Sequence, residues 1–215
     1  MLFLKENCKM QLINDTIKLY IQAYLLKEKA VMRKKIRALT KELKQANGAH
    51  ILYEFANTEK YIDNAVTYVL GGIEQGDHVL ILENDKLYPL IHKKLIHLLG
   101  QVEMDKVHRV NNFDFYTLQG NFNPNAKTKY LYKYLKPYVE QNISIRTWTH
   151  VEWGDQKKVI DDLKDYKEQM ESKPYNLGLT SIFAYNTERL TPLIKEYLIK
   201  CHDVLMLDDT ITYIK

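Results

Sequence analysis

The chain has 215 residues, 46% of them apolar and 27% charged, with two cysteines and a net charge of +4. That length suits one ordinary domain with an appendage, and the composition is that of a soluble globular protein rather than a disulfide-built one. No apolar run approaches the roughly 20 residues of a membrane span, and the opening MLFLKENCKMQLIND lacks the signal-peptide core of about 7–15 apolar residues, so a cytoplasmic protein with reduced thiols is expected.

The residues from about 15 to 46 contain no glycine or proline. Asn14, Asp15 and Thr16 are plausible helix caps and Asn47-Gly48 a stop, which predicts one long helix or two with a bend. Apolar residues recur at Met32, Ile36, Leu39, Leu43 and Ala46, with a second stripe at Ile13, Ile17, Tyr20 and Tyr24. Between Lys27 and Lys44 eight basic residues stand against two acidic ones, so the positive charge belongs to this segment and not to the body that follows. The pattern fits an amphipathic helix that packs on the domain or pairs with a copy of itself. Its basic face, with Arg33, Lys34, Arg37 and Lys41, is the candidate partner-binding surface. The segment is too short for a helix-turn-helix of its own, and direct nucleic-acid binding is not expected. Residues 1–47 therefore read as a basic helical segment and 48–215 as the domain.

Beyond Gly48, predicted strands are HILYEF (50–55), HVLILE (78–83), KVHRV (106–110), ISIRTWTHV (143–151) and LGLTSIFAY (177–185). VLML (204–207) and TITYI (210–214) read as a hairpin across Asp208-Asp209. Helices are predicted over 58–70 after an Asn57/Thr58 cap, 86–99, 124–140 with Pro124 in the first turn, 155–171 and 187–200. This alternation predicts a three-layer α/β domain: a mainly parallel sheet, helices on both faces, and an antiparallel C-terminal edge hairpin. In such sheets ligands bind beyond the carboxyl ends of the strands. The connection 111–123, NNFDFYTLQGNFN, is expected to be irregular and lid-like.

No Gly-Lys-Ser/Thr phosphate loop exists in the chain. The strand 78–83 runs into Glu83-Asn84-Asp85, placing carboxylates where phosphates would sit. Glu83 and Asp85 on one strand end, with Glu152 and Asp155 on another, form a possible cluster of acids able to shift one another's ionisation; the alternative is that Asn84 or Asp85 caps the next helix. His92 and His97 lie five apart and do not share a helix face. Neither metal nor cofactor is expected, and no nucleophile elbow is present. Aromatic residues near the carboxyl edge, Phe113, Phe115, Trp148, Trp153 and Tyr185, could line a small-molecule pocket. Trp148 and Trp153 differ by an odd number and should face opposite sides of the sheet, one in the core and one more exposed.

Several landmarks occur in a fixed order: HILYEF, GGIEQGDHVLIL, RTWTHVEW leading to DYKEQME, and IFAYNTERLTPLIKEYLIKCHDVLM. In that order they resemble the MEDS family, the methanogen/methylotroph sensory domain named after the dichloromethane dehalogenase repressor, over roughly 50 to 214. The sequence departs from the family pattern at Cys201-His202-Asp203, where His-Pro is usual, and at Ala184, where cysteine is frequent. The resemblance implies a RecA/KaiC-like scaffold without a working phosphate loop, found beside DNA-binding or signalling modules and sensing small organic molecules. It supplies no ligand residues. The expectation is a non-enzymatic sensory or regulatory homodimer. It binds a small molecule through Glu83, Asp85, Phe113, Phe115, Trp148, Glu152, Trp153 and Tyr185. It relays to a regulatory protein such as a kinase, an anti-sigma factor or a transcription factor. The alternative is a small enzyme or nucleotide-binding relative of KaiC-type ATPases that uses the edge carboxylates.

Overall fold

The computed structural model describes residues 2–45, 48–117, 124–153 and 179–214, with side chains described within 16–45, 48–115, 130–153 and 179–214. Its strands are β1 (Ala49–Phe55), β2 (His78–Glu83), β3 (Val107–Asn111), β4 (Ile145–His150), β5 (Thr180–Asn186), β6 (Val204–Leu207) and β7 (Ile211–Tyr213). They form one sheet in the order β3-β2-β4-β5-β1-β6-β7, parallel except for the β6–β7 edge pair. The helices are α1 (Leu2–Gln45), α2 (Thr58–Glu74), α3 (Tyr88–Ile96), α4 (Gln101–Met104), α5 (Asn112–Thr117), α6 (Pro124–Glu140) and α7 (Pro192–Cys201).

The three-layer expectation holds because the apolar strand residues split by parity. Ile51, Tyr53, Val79, Ile81, Trp148, Ile182, Val204 and Met206 pack with α1, α2 and α3 on one face. Leu52, Tyr185 and Trp153 pack with Ile194 and Leu198 of α7 on the other, as do Leu80, Leu82 and Ile145 with Leu135 of α6. Strands buried on both faces must be apolar at consecutive positions, which is why HVLILE and SIFAY read as they do. Local signals fix the crossovers. Asn57 caps α2 by accepting from Lys60 N at 3.0 Å. Thr191 caps α7, with Pro192 in its first turn. Gly76, at φ 80°, makes the turn from α2 into β2.

Several boundaries differ from the sequence expectation. The first helix begins at Leu2, because nothing from there to Gln45 breaks a helix. The helix expected over 86–99 is shorter, α3 at Tyr88–Ile96, and past Gly100 a separate turn, α4, begins where Glu103 reaches back to accept from Gly100 N at 2.8 Å. The connection after β3 is not irregular at its start: Asn111 accepts from Phe113 N at 2.9 Å and launches α5. The helix expected over 155–171 lies outside the described residues.

The two halves of α1 behave differently. Met32, Ile36, Leu39 and Leu43 are buried against the domain, within the same cluster as α2. Each large aliphatic side chain so buried contributes roughly 1.5–3 kcal/mol. Arg37 pairs with Glu74 at 2.8 Å, Lys29 and Lys94 both reach Asp63, and Tyr213 donates to Glu42 at 2.8 Å. Residues 16–27 are all exposed, including Ile17, Leu19, Tyr20, Ile21, Tyr24, Leu25 and Leu26. Among the described residues no helix is long and apolar enough to cross a membrane.

Candidate functional site

Strand order places the site. The connection after β2 leaves toward β3, and β4 leads to β5 on the opposite side, yet β2 and β4 are neighbours. Beyond their carboxyl ends lies the crevice position at which open α/β sheets usually bind ligands. Glu83 ends β2 on one side of it, and His150, Glu152 and Trp153 end β4 on the other.

Glu83 is fully buried. Its Oε1 accepts from the Asn84 amide at 2.8 Å and lies 2.7 Å from His150 Nδ1, and its Oε2 accepts from the Tyr61 hydroxyl. Tyr61 in turn accepts from Trp148 Nε1 at 2.8 Å. Strands β2 and β4 and helix α2 are thereby joined through one indole–phenol–carboxylate–imidazole chain. Both Glu83 oxygens are thus engaged, Oε1 by the Asn84 amide and the His150 ring and Oε2 by the Tyr61 hydroxyl. Burial, with the Glu83 charge and hydrogen bond, pushes the Tyr61 phenol well above its ordinary range, so it stays a donor.

A second layer covers this chain. Asn112, buried at the start of α5, donates to Glu152 Oε2 at 2.7 Å and to the His150 carbonyl at 3.3 Å. Asn84 donates to the same Glu152 oxygen at 3.1 Å. Burial opposes the Glu152 charge, but the bonds from Asn112 and Asn84 and the fields of His150 and Arg189 outweigh it and hold the carboxyl below its usual range. On the other face, Trp153 packs on Tyr185 with ring centroids 5.4 Å apart. Glu54 lies beside Tyr185 in the register and pairs with Lys195 at 2.6 Å. Buried polar atoms without a partner among the described residues include Asn112 Oδ1 in this layer and, on the other face, Trp153 Nε1 and Glu54 Oε1. Native interiors rarely leave such atoms bare without a functional reason.

The structure sorts the predicted residues. Glu83, Trp148 and Glu152 join one network through Tyr61, His150, Asn84 and Asn112. Trp153 and Tyr185 pair on the opposite face, as the odd spacing required, but both tryptophans are buried and neither is the exposed one expected. Asp85 does not meet the other acids; it points outward to Arg109 and to Asn111 Nδ2, the latter at 3.0 Å. Phe115 fills the core beside Leu80 and Leu82, and Phe113 is exposed. Asn84 accepts from the Lys86 and Leu87 amides at 3.0 and 2.9 Å and closes the turn that leads into α3, whose own N-cap, Leu87, has no side-chain bond. Sequence reasoning missed Tyr61 and Asn112, whose parts depend on long-range pairing. His150 was visible only as the neighbour of Glu152 on one strand. The basic-face residues Arg33, Lys34, Arg37 and Lys41 are exposed on the docked half of α1. Among the described residues no three or more His, Cys, Asp or Glu side chains gather as a metal site.

The profile of the MEDS family, described as the methanogen/methylotroph, DcmR sensory domain, matches residues 49–203. The chain belongs to the MEDS family. That match runs from β1 to the residue before β6, so the MEDS unit contains the whole crevice and leaves α1 outside. No curated protein matches the sequence. Among solved structures, the chain is similar to a prototypical ATPase from the type III secretion system of pathogenic bacteria, at 10% identity and a TM-score of 0.40. That similarity covers 74% of this chain and 52% of the ATPase, so the chain spans about half its length. MEDS is a sensory domain family, and a sensory or regulatory role is the one its membership supports.

Proposed function

We propose that this MEDS protein is a non-enzymatic cytoplasmic sensor whose crevice between β2 and β4 takes a small polar organic molecule. The observation that carries this reading is the buried Asn112 Oδ1, which has no partner among the described residues and calls for a hydrogen-bond donor beside Glu152. A RecA/KaiC-type scaffold without its phosphate function fits the same edge. A phosphate needs free backbone amides at a strand-to-helix turn. At the β1–α2 turn the Ala56 and Asn57 amides already donate to Asp208 Oδ2, at 3.1 and 2.9 Å. At the β2–α3 turn the Asn84 side chain takes the amides.

The signal leaves through α1 to a regulatory partner, a kinase, anti-sigma factor or transcription factor, with the protein acting as a homodimer. The exposed residues Ile17, Tyr20, Tyr24 and Val31 support the dimer. They are spaced as one heptad seam, on a different side of the helix from the docked residues Met32, Ile36, Leu39 and Leu43.

Thermal shift against a panel of small polar organics, with ATP and magnesium as the comparison, tests the sensor. The expected outcome is stabilisation by one chemical class of organics, with a change in the fluorescence of the two tryptophans that Trp153→Phe weakens. Stabilisation by nucleotide alone sinks the reading in favour of an ATPase relative. For the dimer, the mass in solution of a Tyr20→Glu/Tyr24→Glu variant should be that of a monomer.

A further inference from the structure

The opposite, amino edge of the sheet holds a separate cavity of about 290 Å3, between the end of α1, the turn before β2, the end of α6 and the starts of β4 and β5. Ligand sites begin at roughly 300 Å3, so it suits a compact molecule. Lys44, Asp77, Asn142, Ser144, Arg146 and Thr180 form its polar wall.

Arg146 and Asp77 are each 2% exposed. Asp77 Oδ2 accepts from Arg146 Nε at 2.8 Å and from its Nη2; Oδ1 accepts from Ser144 Oγ at 2.5 Å and from Lys44 Nζ. Arg146 Nη2 also reaches Gln75 Oε1 at 3.2 Å, and the guanidinium carbon lies 5.4 Å from the Tyr68 ring centroid. Gly72 makes room for this side chain: a Cβ there would stand 2.9 Å from Val79 and 3.0 Å from Arg146. Arg146 Nη1 is buried and has no hydrogen-bond partner. Two cations thus face one carboxylate whose oxygens are already filled. Fastening β4 to the α2–β2 turn accounts for the Arg146–Asp77 pair. It accounts neither for the second cation nor for the bare, buried guanidinium N–H of a residue that lines the cavity, which is costly unless something accepts from it.

We propose that this cavity binds a small oxyanion, a carboxylate or phosphate group, through Arg146 Nη1 and the Lys44 ammonium. Guanidinium and ammonium groups take such anions by charge-assisted hydrogen bonds. Because Lys44 lies in the last turn of α1, occupancy ties the foot of that helix to the start of β4.

The test is an NMR titration of the isotope-labelled full-length chain with inorganic phosphate and, separately, acetate at fixed ionic strength. Saturable shifts of the Arg146 Nε–H and of the amides of Asn142, Ser144 and Thr180 are expected with at least one anion, and the two arms decide which. Lys44→Gln removes a half-exposed group without unpairing Arg146 and should weaken binding about tenfold, the loss of one charge-assisted contact. Arg146→Lys, if it keeps a folded spectrum, should abolish saturation. Non-saturating shifts with both anions, or an unchanged affinity in Lys44→Gln, would overturn the proposal. The carboxyl-edge reading stands or falls independently.

Discussion

Strand β2 has a buried carboxylate at each end, Asp77 just before it and Glu83 at its close, and the two are satisfied by different chemistry. At the carboxyl edge Glu83 is held by a phenol, a backbone amide and an imidazole, none of them a permanent charge. At the amino edge Asp77 is held by the Arg146 guanidinium and the Lys44 ammonium. Glu83 thus sits among hydrogen-bond donors, whereas the two cations around Asp77 make a fastening that an anion can complement.

The largest expected effect comes from breaking the fixed pair. Asp77→Asn leaves Arg146 buried beside Lys44 without a counter-charge, and urea unfolding should show a loss of about 3–5 kcal/mol, the usual cost of unpairing a buried ion. Tyr61→Phe tests the neutral edge more gently. It strands Trp148 Nε1 and one Glu83 oxygen, for about 1–3 kcal/mol, and should shift the tryptophan emission. If Tyr61→Phe cost as much as Asp77→Asn, the contrast between the edges would fail.

A third expectation concerns pH. His78 Nδ1 and His108 Nε2 lie 2.8 Å apart at the starts of β2 and β3. Burial, together with Lys106 for His78 and with His78 for His108, lowers both from their ordinary value. A lowered histidine binds fewer protons folded than unfolded, so stability is full above about pH 6.5 and declines as pH falls below it. Burial opposes the charges of Asp77 and Glu152, but their partners reverse this and hold both low. Their contribution persists down to about pH 4 and is lost only below it. Melting temperatures should therefore drop in two stages, and His108→Gln should flatten the first stage alone. The smallest effect belongs to Arg109→Ala, which removes a surface pair with Asp85 and should cost under about 1 kcal/mol in the same urea assay.

The sequence carries the layers of this protein more fully than its site. HVLILE, the Asn57 cap and the Asp208-Asp209 turn announce their elements because the signals are local: continuous apolar residues, a side chain reaching three positions ahead, a polar break between two apolar runs. The network does not announce itself that way. Tyr61 looks like any inward residue of an amphipathic helix, and only the neighbouring of β2 and β4, strands 67 residues apart at Glu83 and His150, brings its hydroxyl to the carboxylate. Acids grouped by proximity in sequence were misleading for the same reason. Asp85, two residues after Glu83, turns outward to Arg109 while Glu152, far away in sequence, comes in to Asn84 and Asn112.

One consequence follows from the length of α1. Among the described side chains its grip on the domain weakens beyond Lys29, yet the helix continues to Leu2, about 40 Å farther at 1.5 Å per residue. A stiff rod clamped at one end works as a lever. A tilt of about 5° at the clamp carries the far tip some 3–4 Å, about the width of a side-chain contact. The clamp rests on α2, α3 and the β6–β7 hairpin through Asp63, Glu74 and Tyr213. Adjustments at the clamp too small to disturb the sheet are thus magnified along the rod toward its far tip.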